Sequence, residues 1–366
     1  MSIETPAWPE ASSGKIPSLD GLRAVSIMIV FLAHAGISKL LPGGFGVTVF
    51  FFLSGFLITT LLCREHNRTG AIDLRNFYLR RVVRLSPPLL LTLLLGLILV
   101  LLGFALGDLN PKVFLAQIFF VYNYYSLTPL TENSVHGLGI LWSLAVEEHF
   151  YLIWPALFIL IARNRVRSVH LIGLLAAIFA WRCFRVLVLG DGEWTIYIST
   201  DTRFDSLLYG CLLALMMGRR KAPEWLGSPK VFYGALAASF ALLAVSFLWR
   251  DPVFRSTLRY TLQGIALMPI FYYAVRNSEH LIFRPLNWWA VRWIGIYSYT
   301  LYLVHLMILN ALWRNGLPVD GILTAAIALM LSLAWSALVY FLAEKPLHGF
   351  RARLNRPRNP AVANAT

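Results

Sequence analysis

The sequence predicts an all-α fold, a polytopic bundle of transmembrane helices with about ten crossings and one further segment that enters the membrane without crossing it. Of 366 residues, 58% are hydrophobic and 14% are charged, whereas soluble domains carry about 25% charged residues. The mean hydropathy is +0.65, and apolar runs of about 20 residues, long enough to cross a bilayer, recur from end to end. The composition excludes a soluble globular enzyme and makes the lipid bilayer the first partner of the chain.

The predicted crossings follow the apolar runs in chain order. They cover residues 22–41, 44–63, 87–106, 138–161, 168–189, 203–217, 230–248, 258–275, 293–312 and 321–343. Arginines and lysines form five clusters between and after them, at residues 64–84, 163–167, 219–221, 276–292 and 351–358. Because cytoplasmic loops are enriched in Lys and Arg, these clusters predict that the N- and C-termini are both cytoplasmic.

The segment at residues 112–127 (KVFLAQIFFVYNYYSL) is short, aromatic and polar at its end. The five basic clusters lie on one side of the membrane only if this segment does not cross, which predicts a re-entrant or partly immersed hairpin.

The predicted organisation is a cytoplasmic segment at 1–17, a membrane domain at 18–348 and a basic cytoplasmic tail at 349–366. Residues 1–17 contain two glutamates and three prolines, so we expect no cleavable signal peptide and insertion into the plasma (inner) membrane.

The net charge of +14 is a topology signal rather than a sign of nucleic-acid binding, because the cations lie between apolar spans. Three cysteines, Cys63, Cys183 and Cys211, have no metal-ligand spacing and predict no disulfide framework. No two histidines share a helix at metal-site spacing, so no metal is predicted. The sequence makes no prediction of oligomeric state.

The first 15 residues of the first predicted crossing carry two ionisable side chains. In the stretch LDGLRAVSIMIVFLAHAG, Arg23 lies near the start and His34 eleven residues later. Eleven residues amount to three helical turns plus about 20°, so both side chains project from one face, roughly 16 Å apart along the axis. Asp20, one turn before Arg23, is placed to pair with it. An ionisable group in a membrane costs about 2.5–3.5 kcal/mol and marks a polar path; the alternatives are a snorkelling arginine and a packed, hydrogen-bonded histidine.

A second polar intrusion lies in the stretch GILWSLAVEEHFYLIWP at residues 139–155. Glu147 and Glu148 are adjacent, so their side chains diverge by about 100° and cannot both face one site. Ser143 lies four residues before Glu147 on the same face, and Trp142 either lines a pocket or packs. A buried carboxylate needs a cation, a histidine or a substrate as its partner.

A third stretch, FYLRRVVRLSPP at residues 77–88, places Arg80, Arg81 and Arg84 before a predicted crossing. Guanidinium groups bind phosphate oxygens in bidentate fashion, which predicts a phosphate site at the cytoplasmic mouth. The alternative is contact with lipid headgroups combined with the topology signal.

Further candidates lie toward the other side of the membrane. In DTRFDSLLYG at residues 201–210, the side chains of Asp201, Arg203 and Asp205 form either a salt-bridged cap or a site that hydrogen-bonds the hydroxyls of an acceptor sugar. His305 lies within a later crossing, where it either joins the active site or is packed and hydrogen-bonded.

Together these stretches resemble the acyltransferase 3 family of integral-membrane O-acyltransferases. The resemblance spans nearly the whole chain in the family's order. It is carried by LDGLRAVSIMIVFLAH, GGFGVTVFFFLSGFLI, FYLRRVVRLSPP, LWSLAVEEHFYLIWP, IYSYTLYLVH and AEKPL. One departure is Thr48, where many relatives have an aspartate in G-V-D-x-F-F. If that carboxylate orients a catalytic group in relatives, another residue does so here.

The resemblance implies transfer of an acyl group, commonly acetyl, from an acyl-coenzyme A to a hydroxyl of a carbohydrate, glycolipid or natural product. It also implies catalysis by His34 and donor binding by Arg23. The three arginines of FYLRRVVRLSPP would then meet the phosphates of the donor.

The predicted mechanism uses the spacing along the first helix. The pantetheine arm of the donor is about as long as the Arg23–His34 separation, so the thioester would reach His34. His34 would act as general base on the acceptor hydroxyl. Glu147 would orient His34 or stabilise its imidazolium, as carboxylates do in hydrolase triads. A covalent acyl-His34 intermediate is the alternative.

A transporter of polysaccharides or small anions is the alternative function, because transporters also hold intramembrane Arg, His and Glu residues. Many transporters are built from paired inverted halves. This sequence shows no such repeat, and its polar motifs are concentrated in the first half. A scaffold that only binds a partner enzyme is disfavoured, since the intramembrane charges would have no role.

Overall fold

The structure, a computed structural model, describes residues 16–37, 42–128, 134–219, 223–319 and 321–354. Within these ranges all regular structure is helical and there is no strand. The α-helices in chain order are α1 (Leu19–His34), α2 (Gly43–Thr69), α3 (Leu74–Leu101), α4 (Pro111–Ile118), α5 (Tyr122–Tyr125), α6 (Trp142–Ala162), α7 (Ser168–Leu187), α8 (Glu193–Ile198), α9 (Thr200–Arg219), α10 (Pro229–Leu248), α11 (Pro252–Ser256), α12 (Leu258–Arg276), α13 (Trp289–Arg314), α14 (Ile322–Val339) and α15 (His348–Leu354). A π-helical turn, Tyr340–Glu344, extends α14.

Seven helical stretches of the described residues are long and apolar enough to cross a membrane. They are Gly43–Thr69, Leu74–Leu101, Leu138–Ala162, Val169–Leu187, Pro229–Leu248, Trp289–Arg314 and Ile322–Glu344. Each coincides with a predicted crossing, which confirms a multi-pass, all-helical membrane protein.

The other three predicted crossings correspond to the helices α1, α9 and α12. Helix α9 carries Asp201, Arg203 and Asp205 in its first turns, so it is less apolar than the seven. Helix α1 ends at His34, and Gly36 follows with a positive φ of 74°. The first crossing was predicted to reach residue 41, but residues 38–41 lie outside the described ranges. The number of crossings therefore stays a prediction. The cytoplasmic location of the two terminal segments also stays a prediction, and residues 1–15 and 355–366 lie outside the described ranges.

The helices α2 and α9 form the centre of the bundle, and glycines permit their close approach. A Cβ atom on Gly55 would collide with the carbonyl oxygen of Leu207, and one on Gly210 with that of Phe52. Small residues let membrane helices approach through their backbones, and this close packing replaces the hydrophobic driving force that is absent between helices in lipid. The α2–α9 pair therefore forms a rigid wall beside which the polar residues are placed.

The segment 112–127 forms two short helices with a break between them. Helix α4 has eight residues, about 12 Å of helix, and Phe120 interrupts the path with a positive φ of 55°. Asn123 of α5 is buried, and its Nδ2 donates to Thr200 Oγ1 at 2.9 Å. Neither helix is long enough to cross a hydrocarbon layer of about 30 Å, and the segment is fixed against the start of α9.

Helix α1 packs along α13, and α13 packs in turn on α14. A Cβ atom on Gly295 of α13 would collide with the backbone oxygen of Asp20 in α1. This close contact sets the distance between the two helices that carry His34 and His305.

Candidate active site

Helix α1 directs the side chains of Arg23 and His34 toward α13. Arg23 lines a cavity together with the α13 residues Ser298, Tyr299 and Tyr302. His34, three turns later, places its Nδ1 atom 2.9 Å from Nε2 of His305. The shared helix face expected from the eleven-residue spacing is therefore turned into the bundle. Asp20 lies 3.4 Å from Arg23, as its spacing suggests.

The contacts of His305 determine the tautomer of both histidines. Its Nδ1 atom lies 2.8 Å from the carbonyl oxygen of Tyr302 and 3.2 Å from that of Leu301, so Nδ1 carries the proton and donates. In a neutral imidazole the other nitrogen is then an acceptor. Nε2 of His305 consequently accepts from Nδ1 of His34, and Nε2 of His34 is left with a lone pair. A base with its lone pair fixed in one direction is the arrangement that general base catalysis requires.

The cavity beside Arg23, which we call the central cavity, is a narrow space of about 90 Å³ bounded by α1, α2, α3, α6 and α13. Glu147 lies in its wall and accepts hydrogen bonds from Ser54 Oγ at 3.1 Å and Tyr151 Oη at 3.2 Å. The guanidinium of Arg81 stacks over the Tyr151 ring, 4.4 Å from its centroid. The wall of the central cavity thus combines arginine side chains, one carboxylate and several hydroxyl groups.

A second, wider space, the arginine cavity, has a volume of about 440 Å³ and lies where α2 ends, α3 begins and α15 folds back. Arg80 donates to Glu65 Oε2 at 2.7 Å and to the carbonyl oxygen of Leu354 at 3.1 Å. The charged lining consists of Glu65 and six arginines: Arg64, Arg68, Arg80, Arg81, Arg84 and Arg351. Guanidinium groups bind phosphate and carboxylate oxygens, so this lining has the composition of an anion site.

The two cavities are joined by Arg81 and Arg84, which line both. At its other end the central cavity reaches Tyr302 and Ser143, whose hydroxyl oxygens are 2.7 Å apart. The Tyr302 ring lies 5.8 Å from that of His305. A polar path therefore runs from the arginine cavity past Arg23 and Glu147 to Tyr302, whose ring lies beside that of His305.

One predicted role requires correction. Among the described residues, His34 is hydrogen-bonded to His305 and not to Glu147, whose bonds go to Ser54 and Tyr151. The carboxylate therefore belongs to the arginine-lined part of the path and does not orient the imidazole.

Trp142, which was expected either to line a pocket or to pack, is buried in an aromatic cluster, with its ring 4.6 Å from that of Tyr197.

The predicted cluster of Asp201, Arg203 and Asp205 does not form one group, because each of the three side chains binds a different partner. Asp205 forms a buried ion pair with Arg182 at 2.6 Å. Asp201 is partly exposed and binds Arg185 at 2.9 Å. Arg203 is fully buried and donates to Thr48 Oγ1 at 2.9 Å.

Sequence reasoning missed several residues of the path. Arg64, Arg68 and Arg351 join the arginine cavity, although the sequence suggested only a topological role for them. The signal that could have found them is their position at helix ends on the predicted cytoplasmic side, next to the three arginines of α3. Among the described residues no group of three or more His, Cys, Asp or Glu is placed to hold a metal ion, and the absence of a metal from the reaction stays a prediction.

Comparison with known proteins identifies the fold that carries this path. A family model described as an acyltransferase domain matches residues 16–341. The chain belongs to the acyltransferase 3 family. The expected resemblance is confirmed, and no solved structure matches the chain.

Three curated proteins are 30–34% identical to this chain over the residues that align. YrhL of Bacillus subtilis (strain 168) is 30% identical over 356 residues, which cover 92% of this chain and 56% of YrhL. Peptidoglycan O-acetyltransferase OatA of Listeria monocytogenes serovar 1/2a is 30% identical over 326 residues, covering 81% of this chain and 49% of OatA. O-acetyltransferase OatA of Staphylococcus aureus (strain NCTC 8325) is 34% identical over 217 residues, covering 55% and 34%. This chain spans about half the length of the first of these relatives and less of the other two.

The departure from the acyltransferase 3 pattern at Thr48 has a structural counterpart. Thr48 faces Arg203, not the histidine pair. A carboxylate at position 48 would pair with this buried guanidinium, whereas here the hydrogen-bond partners of Arg203 are the neutral oxygens of Thr48 and Tyr197. The missing aspartate therefore concerns the charge around Arg203 and leaves the orientation of His34 to His305.

Proposed function

We propose that this chain is a membrane O-acyltransferase that transfers an acyl group, acetyl in the first instance, from acyl-coenzyme A to a hydroxyl of a carbohydrate acceptor. The observation that carries the proposal is the polar path from the arginine cavity to Tyr302, beside the hydrogen-bonded pair of His34 and His305. Family membership supports the reaction class, and the name of the Listeria relative, peptidoglycan O-acetyltransferase, makes peptidoglycan the first acceptor to test.

The arginine cavity is the proposed entrance for the donor. Coenzyme A carries its phosphates at one end and its thiol at the other, and six guanidinium groups against one carboxylate favour the phosphate end. The uncharged arm would follow the central cavity past Arg23, Arg81 and Arg84. Arg23 would thus fix the middle of the donor, and the thioester would lie near the histidine pair.

His34 is the proposed general base. Its Nε2 takes the proton of the acceptor hydroxyl while the hydroxyl oxygen attacks the thioester carbonyl. The imidazolium keeps its Nδ1–H bond to His305. When the C–S bond breaks, the Nε2 proton passes to the departing sulfur, so that the acceptor gains the acyl group and the donor leaves as a thiol. Direct transfer of this kind needs no acyl-enzyme.

The proposed topology has ten crossings, the plasma membrane as location and both termini in the cytoplasm. The membrane domain at 18–348 then lies between cytoplasmic segments at 1–17 and 349–366. In this orientation the arginine cavity opens to the cytoplasm, where acyl-coenzyme A is made, and the end of α1 that carries His34 lies toward the opposite side. The reaction would move an acyl group across the bilayer.

The test is a transfer assay on the purified chain in lipid nanodiscs. Release of coenzyme A from acetyl-coenzyme A should depend on an added glycan acceptor. His34→Ala should abolish this release and leave donor binding intact, while His136→Ala, at an exposed histidine, should behave as wild type. Full turnover in His34→Ala would contradict the role of His34.

The same preparation separates the alternatives. Arg80→Gln or Arg84→Gln should raise the KM for acetyl-coenzyme A more than it lowers kcat, because these residues hold only the donor. An unchanged KM would mean that Arg80 and Arg84 contact lipid headgroups or act only as a topology signal. Vectorial movement of glycan or anion in liposomes without loss of thioester would instead show a transporter.

A further inference from the structure

A third cavity lies at the opposite end of the bundle from the arginine cavity. This aromatic cavity has a volume of about 450 Å³. It lies between the start of α2, the short helix α8 and the stretch that joins α11 to α12. Nothing in the proposed donor path uses it.

The aromatic cavity adjoins the catalytic end of α1. Gly44 lines it, and a Cβ atom on the preceding Gly43 would lie 3.0 Å from the Cβ of Ala33, the residue before His34. On its inner side, the ring of Tyr197 lies 4.6 Å from that of Trp142, which is followed by Ser143 of the central cavity. The cavity therefore approaches the reaction centre from the side opposite the donor.

The lining combines flat aromatic faces with charged groups. The Trp194 ring is half exposed and lies 5.7 Å from that of Tyr197. Glu193 Oε1 binds Arg255 at 2.8 Å and Arg259 at 3.2 Å. Aromatic faces stack on the C–H face of a pyranose, and paired carboxylate and guanidinium groups hydrogen-bond sugar hydroxyls.

The charge of this cavity favours an acidic ligand. Two guanidinium groups face the single carboxylate of Glu193 in its wall. Behind the wall, the guanidinium of Arg203 lies 4.0 Å from the centroid of the Tyr260 ring, and its hydrogen-bond acceptors are both neutral oxygens. Its Nε atom is buried and has no hydrogen-bond partner. Arg203 is buried and does not line the cavity, so it acts on a ligand there only through its charge.

We infer that the aromatic cavity is the acceptor site and that it selects a pyranose bearing a carboxylate. The sugar ring stacks on Trp194 and Tyr197, its carboxylate meets Arg255 and Arg259, and a ring hydroxyl is directed toward His34. The assignment as acceptor site rests on the proposed transferase function, whereas the binding of an acidic sugar does not require turnover.

Equilibrium binding to the full chain in nanodiscs, followed by saturation-transfer NMR, tests the inference with two matched pairs of sugars. Methyl β-glucuronide is compared with methyl β-glucoside, and N-acetylmuramic acid with N-acetylglucosamine. In each pair only the first sugar has a carboxylate. Wild-type protein should bind the acid of at least one pair about tenfold more tightly, the value of one charged hydrogen-bonded contact.

Two variants at partly exposed positions locate the site without threatening the fold. Arg255→Gln should reduce the preference for the acid to about twofold, because one charged contact is lost. Trp194→Ala should weaken both members of the preferred pair by about tenfold, because it removes a stacking face. The controls Arg250→Gln and Trp289→Ala, at exposed residues outside the cavity, should bind as wild type.

Equal binding within both pairs, an undiminished preference for the acid in Arg255→Gln, or wild-type affinity for both sugars in Trp194→Ala would overturn the inference. The outcome is separable from that of the transfer assay. A chain that binds the acid at this site and releases no coenzyme A would contradict only the proposed function. A chain that transfers acetyl groups without this preference would contradict only the acidic acceptor site.

Discussion

The Nδ1 atom of His34 is engaged by His305 at 2.9 Å, so only Nε2 remains for a substrate. In hydrolase triads a carboxylate holds the imidazole and stabilises its charged form. Here the hydrogen-bond acceptor of His34 is the neutral imidazole of His305, whose own proton is fixed by the carbonyl oxygens of Tyr302 and Leu301. His305 therefore orients His34 without adding a negative charge, and in the proposed mechanism His34 stays a neutral base until it takes the proton of the acceptor hydroxyl.

His305 is accordingly a positioning residue, and replacing it should lower kcat more than it changes KM for the donor. His305→Ala should reduce kcat about 100-fold, since His34 loses its fixed tautomer. His305→Gln offers an amide oxygen as acceptor and should retain several times more activity than the alanine variant. Steady-state kinetics with acetyl-coenzyme A measure both values, with His136→Ala as control. Wild-type kcat in His305→Ala would contradict this role.

Glu147 provides the opposite test. If its carboxylate stabilised the imidazolium of His34, Glu147→Gln should cost about 10⁴-fold in kcat, as loss of the triad aspartate does. Because its bonds go to Ser54 and Tyr151 instead, we expect kcat to stay within about tenfold of wild type. A loss as large as that of His34→Ala, measured in the same assay, would restore the triad interpretation.

At the scale of residues, helical periodicity was sufficient to place Arg23 and His34 on one face, since both lie on the same helix. The partner of His34 could not be predicted, because His305 is 271 residues away and only the packing of α1 on α13 brings the rings together. The same limit explains Arg203 and Asp205. Their proximity in sequence suggested one site, but their partners Thr48 and Arg182 come from other helices.

At the scale of elements, the apolar runs located the helices, and local signals misplaced some of their ends. The third crossing was expected to cover residues 87–106, with Pro87 and Pro88 at its start, yet α3 begins at Leu74 and runs through both prolines. Proline disfavours helix in the residue before it, but the tertiary contacts of α3 with α13 and α15 outweigh this preference. The arginines of α3 are therefore held on a helix, which fixes them relative to one another.

The contact between α1 and α13 can be tested through Gly295. In Gly295→Ala the added methyl group would meet the backbone of Asp20, and overpacking of this kind costs about 1–3 kcal/mol. We expect a lower Tm in detergent and a higher KM for the donor, because α1 carries Arg23 into the central cavity.

The matched control is Gly234→Ala in α10, where a Cβ atom meets nothing within 4 Å. Alanine is favoured over glycine within a helix by about 1 kcal/mol, so this variant should have an unchanged or slightly higher Tm. If the two variants had the same Tm and the same KM, the close contact between α1 and α13 would not control the site.

At the scale of the whole molecule, the cavities divide between the two ends of the bundle. The arginine cavity gathers the end of α2, the start of α3 and α15, while the aromatic cavity gathers the start of α2, α8 and the α11–α12 junction. The charge pattern of the sequence assigns the first set to the cytoplasm and the second to the opposite side. The packing of the helices brings the same two sets of segments together at the two cavities.

This division makes sidedness a measurable property of single residues. In a background with Cys63, Cys183 and Cys211 replaced by alanine, Trp194→Cys should react with a membrane-impermeant maleimide in intact cells. Trp289→Cys, at the arginine end, should react only after permeabilisation. Both tryptophans are well exposed, at 55% and 81%, so access through the protein does not limit labelling. Labelling of both positions from the same side would mean that donor and acceptor ends are not separated by the bilayer, and transfer across the membrane would have to be abandoned even if His34 proved to be the base.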